Sequence, residues 1–482
     1  MREYLLSSPK LIFLYAILIS SIITFHRLGE SPLSGDGCFY SEVAKEMVNT
    51  GDYLTPRFGY TVAFYHRKPP ILFWANALSG KVFGFSNFAM RLPSALFGFM
   101  AIVALFFFVR RYYSTAAAFI SAIVLTCTEQ YLVHARDAVT DMIFSAFFGI
   151  AIISFWIGYK DRKNAFFYIM GAATGLAVMT RNVVGLFAYV VIGTFIFLFR
   201  KREVIKEPHF WGGIVLSLVV SVPWHWYMIY RYGNSFIESH FGSMMHFAFK
   251  GIDNDDSRWH AYLKKIAENY WPWLPILIAG CYREFKNIMN RRISEINIFI
   301  LLWAFIPFAI FQLASVKQSQ YIVPIYFPFA IITAWTLEGS RININHSVTL
   351  WLLCIASVLS VIFLLFPIIP AFLDSAEYKE TIQLIPEIKD IEKEIIVNRD
   401  YGYSHYRNCF LFYGNRDVTG NSFDEITSKV KSEREYFYAL KRKDFDELNR
   451  RVDLNNIRVI KETKHSVLFS NTPLHHVYGV SQ

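Results

Sequence analysis

Long apolar stretches separated by short polar turns run along most of this chain. A membrane-spanning helix needs about 20 mostly apolar residues. Eleven stretches meet or approach that length: 10–27, 89–109, 115–133, 141–159, 165–180, 183–199, 210–230, 271–282, 295–314, 319–337 and 347–370. No small-residue cleavage site follows the first stretch, so we expect it to be a retained span rather than a signal peptide. The pattern predicts an α-helical polytopic membrane protein with about eleven or more transmembrane helices.

The composition agrees with this interpretation. Hydrophobic residues make up 54% of the 482 residues, and charged residues only 18%, whereas a soluble domain has about 25% charged residues. These values exclude a disordered, collagen-like or coiled-coil chain. We interpret the net charge of +10 as the lysine and arginine bias of membrane loops rather than as a sign of nucleic-acid binding.

The basic residues predict the orientation. If the N-terminus is cytoplasmic, every basic turn falls on the cytoplasmic side; these turns are 110–111, 160–163, 200–206, 283–292 and 341. Lysine and arginine bias sets the orientation of membrane proteins. The outer side then receives 28–88, 134–140, 231–270 and everything after about 371. We therefore predict a cytoplasmic N-terminus and an extracytoplasmic C-terminus.

The C-terminal part differs in character from the rest. Segment 375–482 has 17 basic and 17 acidic residues, and strand-like runs alternate in it with helical runs. This alternation predicts a small α/β domain outside the membrane. We divide the chain into a transmembrane domain, 1–374, with a long first outer loop at 28–88, and an extracytoplasmic α/β domain, 375–482.

The five cysteines are scattered along the chain, at positions 38, 127, 281, 354 and 409. They show no CxxC pair and no regular spacing. We therefore expect single apolar thiols rather than a disulfide framework or a zinc ribbon.

The first outer loop opens with a candidate catalytic acid. Asp36 follows the first span by about ten residues and precedes 40–48, where Val43, Ala44, Met47 and Val48 have helical spacing. This pattern predicts an amphipathic helix lying on the membrane surface. Asp36 has a structural alternative, which is to cap that helix or to form a turn.

The same loop contains a candidate phosphate ligand. Lys68 is followed by Pro69 and Pro70 and then by an apolar aromatic helix. The prolines fix the chain direction at the helix start, and a cation there can hold a lipid phosphate. The alternative is that Lys68 only extends its ammonium group to the membrane interface.

Further polar candidates lie in the other outer segments. Asp137 and Asp141 are four residues apart, which would place them on one face of a helix, although Asp141 could simply cap the span that follows. The remaining candidates are Arg91, Arg181, Lys317, Tyr40, His260 and Tyr321. The segment around His260 combines histidines with aspartates but has no tight metal spacing. A divalent cation is left open, and no metal ligand is assigned.

Together these residues favour one kind of chemistry. Carboxylates act as general bases, cations stabilise a phosphate leaving group, and aromatic rings stack on sugars. This combination suits the transfer of a sugar from a lipid phosphate at the membrane surface.

Several spaced motifs also resemble a known family. They include Asp36, Tyr40–Glu42, Glu46–Met47, Gly51–Tyr53, Lys68–Pro70, Trp74 and Phe88–Leu96, followed by Asp141–Met142, Pro223–Trp224 and Lys317–Pro324. The chain resembles the GT-C superfamily of integral membrane glycosyltransferases, in the branch of the lipid A aminoarabinose transferase and the protein mannosyltransferases. The C-terminal segment also resembles the outer domain of that branch.

The resemblance implies an inverting transfer from a polyprenyl-phosphate sugar, without a nucleotide sugar. It implies that Asp36 is the catalytic base, that Asp141 is a second acidic site residue, and that Lys68 binds donor phosphate. We assign Arg91, Arg181 and Lys317 to phosphate as well, and Tyr40, Asp137, His260 and Tyr321 to substrate.

Some positions depart from the pattern of the aminoarabinose branch. Gly37 replaces a glutamate, Arg67 replaces another glutamate, and Arg181-Asn182 stands where Lys-Gly is common. These departures leave the sugar open.

The expected acceptor is a lipid A type or other envelope glycolipid, with a protein as the alternative. A lipid-linked sugar transporter or flippase would be expected to have repeated halves and matching broken spans, which the sequence lacks. A non-catalytic assembly factor would not need Asp36, Lys68 and Asp141. The chain is expected in the inner membrane, and its oligomeric state is left open.

Overall fold

The computed structural model describes residues 9–59, 61–63, 68–242, 258–292, 294–338, 376–400, 403–452 and 457–471. The predicted span 347–370 lies outside these residues.

The membrane part is mostly helical over its described length. In chain order its helices are α1 (Pro9–Phe25), α2 (Gly35–Thr50), α3 (Ile71–Phe83), α4 (Asn87–Tyr112), α5 (Thr115–Thr126), α6 (Glu129–Ala135), α7 (Thr140–Asp161), α8 (Ala165–Arg181), α9 (Phe187–Leu198), α10 (Pro208–Ile237), α11 (Ala261–Asn269), α12 (Leu274–Met289), α13 (Glu295–Leu313) and α14 (Tyr326–Glu338). Short helical turns occupy Asn182–Leu186, Arg202–Ile205, Glu238–Gly242 and Ser319–Ile325, and β1 (Arg57–Phe58) pairs with β2 (Thr61–Val62).

Within the described residues, six helical segments are long and apolar enough to cross a membrane, or seven if the pair α5–α6, bent by 68°, is one span. α1 and α3 are shorter apolar helices. The predicted spans 165–180 and 183–199 continue as one 34-residue helical segment. It is interrupted at Asn182, where the backbone φ is 60°. The prediction of a multi-pass helical membrane protein is confirmed.

Three of the predicted basic turns meet at one end of this bundle. Arg111 pairs with Asp161 at 2.6 Å, and Lys160 and Lys201 both pair with Glu295 at the start of α13. Salt bridges at helix ends neutralise charges that would otherwise face lipid. The grouping of these turns agrees with the sequence analysis, while the side of the membrane on which they lie stays a prediction.

Helices α8 and α10 cross at very close range. A Cβ atom added to Gly171 would overlap the carbonyl oxygen of Gly213, and one added to Gly213 would overlap the carbonyl oxygen of Phe167. Small residues at membrane helix crossings allow such direct backbone contact. The parts of the two helices that carry Arg181 and His225 are thereby held close to each other.

The helix predicted over 40–48 exists, but its position differs from the prediction. Glu42 and Glu46, on its expected polar face, are only 4% and 7% exposed, so α2 does not lie on the membrane surface with that face in water. Ser34 caps α2, because its side chain accepts a hydrogen bond from the Gly37 amide at 3.0 Å. Asp36 is therefore not the cap and lies in the first turn.

The C-terminal part folds as the predicted α/β domain. Its five strands are β3 (Ile395–Asn398), β4 (Thr419–Asn421), β5 (Phe437–Lys441), β6 (Arg458–Glu462) and β7 (Ser466–Ser470), in the sheet order β4-β3-β5-β7-β6. β3 is parallel to β4 and β5, and β7 is antiparallel to β5 and β6. The helices are α15 (Ala376–Gln383), α16 (Ile385–Lys389), α17 (Tyr403–Gly414), α18 (Phe423–Val430) and α19 (Arg442–Arg451).

Both faces of this sheet are covered. Ile395 and Val397 belong to one apolar cluster and Ile396 to another, as expected when alternate residues of a strand point to opposite faces. The exact boundary at 374/375 stays a prediction, because it falls outside the described residues.

Helix α17 connects the C-terminal domain to the first outer loop. The Asn408 amide donates to the carbonyl of Gly35 at 2.9 Å. The Tyr413 hydroxyl accepts from the Leu33 amide at 2.9 Å and donates to the Asn87 side chain at 2.6 Å. The domain is thus held against the start of α2, which carries Asp36.

The same contact corrects the expectation for the cysteines. Cys38 of α2 and Cys409 of α17 are both fully buried, with 2.8 Å between their Sγ atoms. These two thiols are a contacting pair and not single apolar groups, because the fold brings together positions that are far apart in sequence.

Candidate active site

The candidate site lies where the first turn of α2 meets the starts and ends of several membrane helices. Asp36 is exposed, whereas Gly35, Gly37 and Cys38 beside it are buried. Protein atoms nevertheless surround its carboxylate closely enough to raise its pKa, while the nearby Lys68 acts in the opposite direction. A carboxylate that is open to solvent yet crowded by protein is one that faces a cleft.

Asp141 is different, because its charge is already paired. It lies in the first turn of α7, whose N-cap is Val139, so the alternative that Asp141 caps this helix is wrong. Arg181, the last residue of α8, donates to its carboxylate, and the two side chains are 8% and 9% exposed. This buried pair forms one wall of the site.

Aromatic and basic side chains complete the cluster. The guanidinium carbon of Arg181 lies 4.6 Å from the centre of the Tyr321 ring, within the range of a cation–π contact. Tyr40 is 4% exposed, and its hydroxyl lies within electrostatic range of Asp36, Asp141 and Arg181. Lys68 acts on both acids. The structure therefore brings six predicted site residues together: Asp36, Tyr40, Lys68, Asp141, Arg181 and Tyr321.

Asp137 binds the backbone and side chains next to the site. It precedes α7 and is not part of it, so the prediction that Asp137 and Asp141 share a helix face is wrong. Its carboxylate accepts from the Ser34 hydroxyl at 2.7 Å and from the Ala138 amide at 2.8 Å. A Cβ atom at Gly37 would lie 3.1 Å from the Asp137 Oδ1 atom. The glycine at position 37 thus lets Asp137 approach the first turn of α2.

Arg91 has a role that the sequence analysis did not predict. Its guanidinium donates to the backbone carbonyls of Leu28, Ser31 and Pro32, at 3.2, 2.6 and 2.6 Å. These bonds hold the chain between α1 and α2. The guanidinium therefore stabilises the backbone in this structure, and its assignment to donor phosphate stays a prediction.

Two other candidates occupy separate positions. The Lys317 ammonium donates to the carbonyl of Ala314, just after α13, at 2.9 Å, where a cation complements the end of a helix. His260 is the N-cap residue of α11, and its ring lies edge-on to Trp259 at 5.5 Å. No contact among the described residues joins His260 to Asp36, Asp141 or Arg181.

The sequence analysis missed the polar residues behind Arg181. The Nε2 atoms of His240 and His225 lie 2.5 and 3.5 Å from the side-chain oxygen of Asn182. Asn182 is the residue at which α8 ends, so these contacts fix the backbone that carries Arg181. The sequence offered only a weak signal, because the three residues come from separate segments.

Arg136 was also missed. It donates to the carbonyls of Ile23, Thr24 and His26, at 3.0, 2.8 and 2.8 Å. It satisfies carbonyl groups at the end of α1 that have no partner within the helix, whereas Arg91 binds carbonyl groups of the chain that follows α1. We call Arg91 and Arg136 the carbonyl clamp.

No group of three or more histidine, cysteine, aspartate or glutamate side chains could hold a metal ion in the part of the chain that the structure describes.

Comparison with known proteins agrees with this architecture. Residues 67–227 match the family described as dolichyl-phosphate-mannose-protein mannosyltransferase. The fold is similar to the crystal structure of ArnT from Cupriavidus metallidurans bound to undecaprenyl phosphate, with a TM-score of 0.73 at 17% identity over 95% of this chain and 98% of that one. The chain has the GT-C glycosyltransferase fold. The resemblance seen in the sequence and the predicted fold class are confirmed.

Other GT-C proteins are more distant in structure. The oligosaccharyltransferase AglB from Archaeoglobus fulgidus matches with a TM-score of 0.56 at 12% identity, over 90% of this chain and 69% of that one. The shared architecture therefore extends beyond the ArnT branch.

The relatives similar in sequence include several arabinosyl transferases. An undecaprenyl phosphate-alpha-4-amino-4-deoxy-L-arabinose arabinosyl transferase of Edwardsiella ictaluri is 29% identical over 64% of this chain and 57% of its own length. A protein of Aquifex aeolicus, called only uncharacterized, is 26% identical over 75% of this chain and 72% of its own length. The chain thus matches a little over half the length of the Edwardsiella transferase.

Proposed function

We propose that this protein transfers a sugar from a polyprenyl-phosphate donor to an envelope glycolipid of the lipid A type, with inversion at the sugar carbon. The observation that carries the proposal is the convergence of Asp36, Lys68, Asp141 and Arg181, from four separate chain segments, at one site of a GT-C fold. The name of the Edwardsiella relative, which specifies an undecaprenyl-phosphate sugar, supports the donor class.

The residues suggest the following roles. Asp36, open to the cleft, takes the proton of an acceptor hydroxyl as that oxygen bonds to the sugar carbon. The bond from this carbon to the donor phosphate breaks, and the polyprenyl phosphate leaves with both electrons. Lys68 and Arg181 stabilise the charge that develops on the phosphate. Asp141 holds Arg181 in place and keeps its guanidinium over Tyr321.

We place the site on the outer face of the inner membrane. The basic end of the bundle, marked by Arg111, Lys160 and Lys201, would be cytoplasmic, and the C-terminal domain would then be extracytoplasmic. A reporter fused after Gln482 should be active on the extracytoplasmic side only. A cytoplasmic signal would contradict this orientation.

The function is tested by reconstitution. The purified protein, polyprenyl-phosphate sugars of several kinds and extracted glycolipid should give a glycolipid whose mass rises by one sugar residue, with free polyprenyl phosphate as the second product. Envelope glycolipids from cells without the protein should lack this addition. No mass change with any polyprenyl-phosphate sugar would contradict the proposal.

A protein acceptor is the second candidate, since the matching family is described as a protein mannosyltransferase family. The same assay separates the two acceptors. If extracted membrane proteins gain the sugar and glycolipid does not, the donor chemistry stands and the acceptor is a protein.

A further inference from the structure

The geometry points to a disulfide bond between Cys38 and Cys409, which we propose joins the C-terminal domain covalently to the loop that carries Asp36. The proposal rests on the orientation given above, because it requires both cysteines to face an oxidising compartment. It adds a modification site to the proposed active site.

Each of the two sulfur atoms is carried by a helix. Cys38 is in the first turn of α2 and Cys409 is in the middle of α17, and both are 0% exposed. Their sulfur atoms lie 2.8 Å apart, and a disulfide bond is about 2.05 Å long. Closing the bond therefore needs a movement of less than about 1 Å.

Contacts around the two cysteines hold them next to each other. On either side of Cys409, the Asn408 side chain donates to Gly35 at 2.9 Å and the Lys45 ammonium donates to the carbonyl of Phe412 at 3.4 Å. Both cysteines also belong to one apolar cluster that includes Leu33, Ala89, Met90 and Phe412. Bond formation would not require either helix to leave its place.

The oxidation balances as follows. The two thiols lose two protons and two electrons, and one sulfur–sulfur bond forms. The electrons pass to the disulfide of a thiol–disulfide oxidoreductase, which is released as a dithiol after a mixed-disulfide intermediate. Burial and the neighbouring sulfur raise the pKa of the Cys38 thiol, so the thiolate needed for exchange is disfavoured once the domain has docked. We therefore place the oxidation before docking is complete.

The bond would have a direct consequence for the site. Cys38 is two residues from Asp36, and the link would close a separation of 371 residues along the chain. It would restrict the first turn of α2 to one position relative to the C-terminal domain. The catalytic carboxylate and the outer domain would then move together.

The test uses the full-length protein from membranes. Free thiols are blocked with N-ethylmaleimide during denaturation, and the protein is digested without reductant. We expect a linked peptide pair that contains Cys38 and Cys409, two hydrogen masses lighter than the sum of its parts, that disappears with dithiothreitol. Cys127 and Cys281 serve as internal controls, because both should be fully alkylated.

Two variants complete the design. Cys409→Ala should leave Cys38 fully alkylated, and cells that lack the oxidant should yield both thiols alkylated. In untreated wild-type protein, full alkylation of both thiols would overturn the disulfide. The reporter after Gln482 tells the two possible causes of free thiols apart. If the thiols are free and the reporter is extracytoplasmic, the disulfide alone is refuted. If the thiols are free and the reporter is cytoplasmic, the orientation is refuted as well.

Discussion

Buried arginines serve two different purposes in this protein. Arg91 and Arg136, the carbonyl clamp, each donate to three backbone carbonyls at the end of α1 or just after it. Arg181 instead pairs with the carboxylate of Asp141 and lies over the ring of Tyr321. The first two donate to backbone groups, whereas the third donates to an acidic side chain of the candidate site.

This comparison shows that burial and charge do not identify a functional arginine. Arg91 and Arg181 are 6% and 7% exposed, so exposure does not distinguish them. Their partners do distinguish them: Arg91 donates to backbone carbonyls, whereas Arg181 is paired with a carboxylate and would share its N–H donors between that acid and a bound phosphate.

The largest expected effect comes from Asp36, which belongs to the candidate site together with Arg181. Asp36→Asn keeps the size of the side chain and removes the base, so turnover should fall by about a hundredfold or more. Activity of the wild type should also decline as the pH falls through the raised pKa of Asp36, because only the ionised carboxylate accepts a proton. Purified protein with polyprenyl-phosphate sugar and glycolipid gives both measurements.

The matched control is Asp52→Asn, another aspartate of the first outer loop. Asp52 accepts from the amides of Leu54 and Thr55, both at 3.1 Å, and asparagine can keep these turn contacts. Its turnover should stay close to normal. Near-normal turnover of Asp36→Asn would move the base to another acid and contradict the proposed mechanism.

A smaller effect is expected for Lys68. Lys68→Ala removes one charge-assisted contact to the donor phosphate, which costs roughly 1.5–3 kcal/mol. The KM for the donor should rise about ten- to a hundredfold, with little change in thermal stability. Lys81→Ala is the control, since Lys81 is exposed near the end of α3 and lies over the Tyr53 ring at 5.1 Å. If both variants behave alike, Lys68 only extends to the membrane interface.

Matched lysine substitutions test the difference between the carbonyl clamp and Arg181. They have the smallest expected effects. Arg136→Lys keeps the charge but cannot reach three carbonyls at once, so thermal stability should fall by about 1–2 kcal/mol while activity per folded molecule is retained. Arg181→Lys loses the planar contact with Tyr321, so activity should fall about tenfold. Thermal unfolding and turnover are measured on both variants. Loss of activity in Arg136→Lys at normal stability would remove the distinction between the two kinds of arginine.

Much of the fold could be predicted from the sequence, because apolar length and loop charge reflect local constraints of the membrane. The helix around 40–48 and the helix after Pro70 were predicted on the same basis. The burial of Glu42 and Glu46 was not predicted, because α2 lies within a tertiary packing that includes α17, a helix more than 350 residues later in the sequence.

The site was predictable where a motif marks it. Asp36, Lys68 and Asp141 stand at positions that the family resemblance and the outer-loop placement both indicate, whereas Arg181 was indicated by its outer placement alone. The carbonyl partners of Arg91, the contact of Asn182 with His240 and the pairing of Cys38 with Cys409 all depend on tertiary contacts between distant segments. No local pattern encodes such contacts.

The glycine contact between α8 and α10 has a consequence for how this protein can change over evolution. Arg181 lies ten residues beyond Gly171, or about 15 Å along the helix at 1.5 Å per residue. A single methyl group at position 171 or 213 would wedge the two helices apart and alter the separation of Arg181 from His225 without touching either side chain. Substitutions at this crossing can therefore retune the site from a distance, so a lineage could acquire a new substrate preference while every residue of the site stays the same.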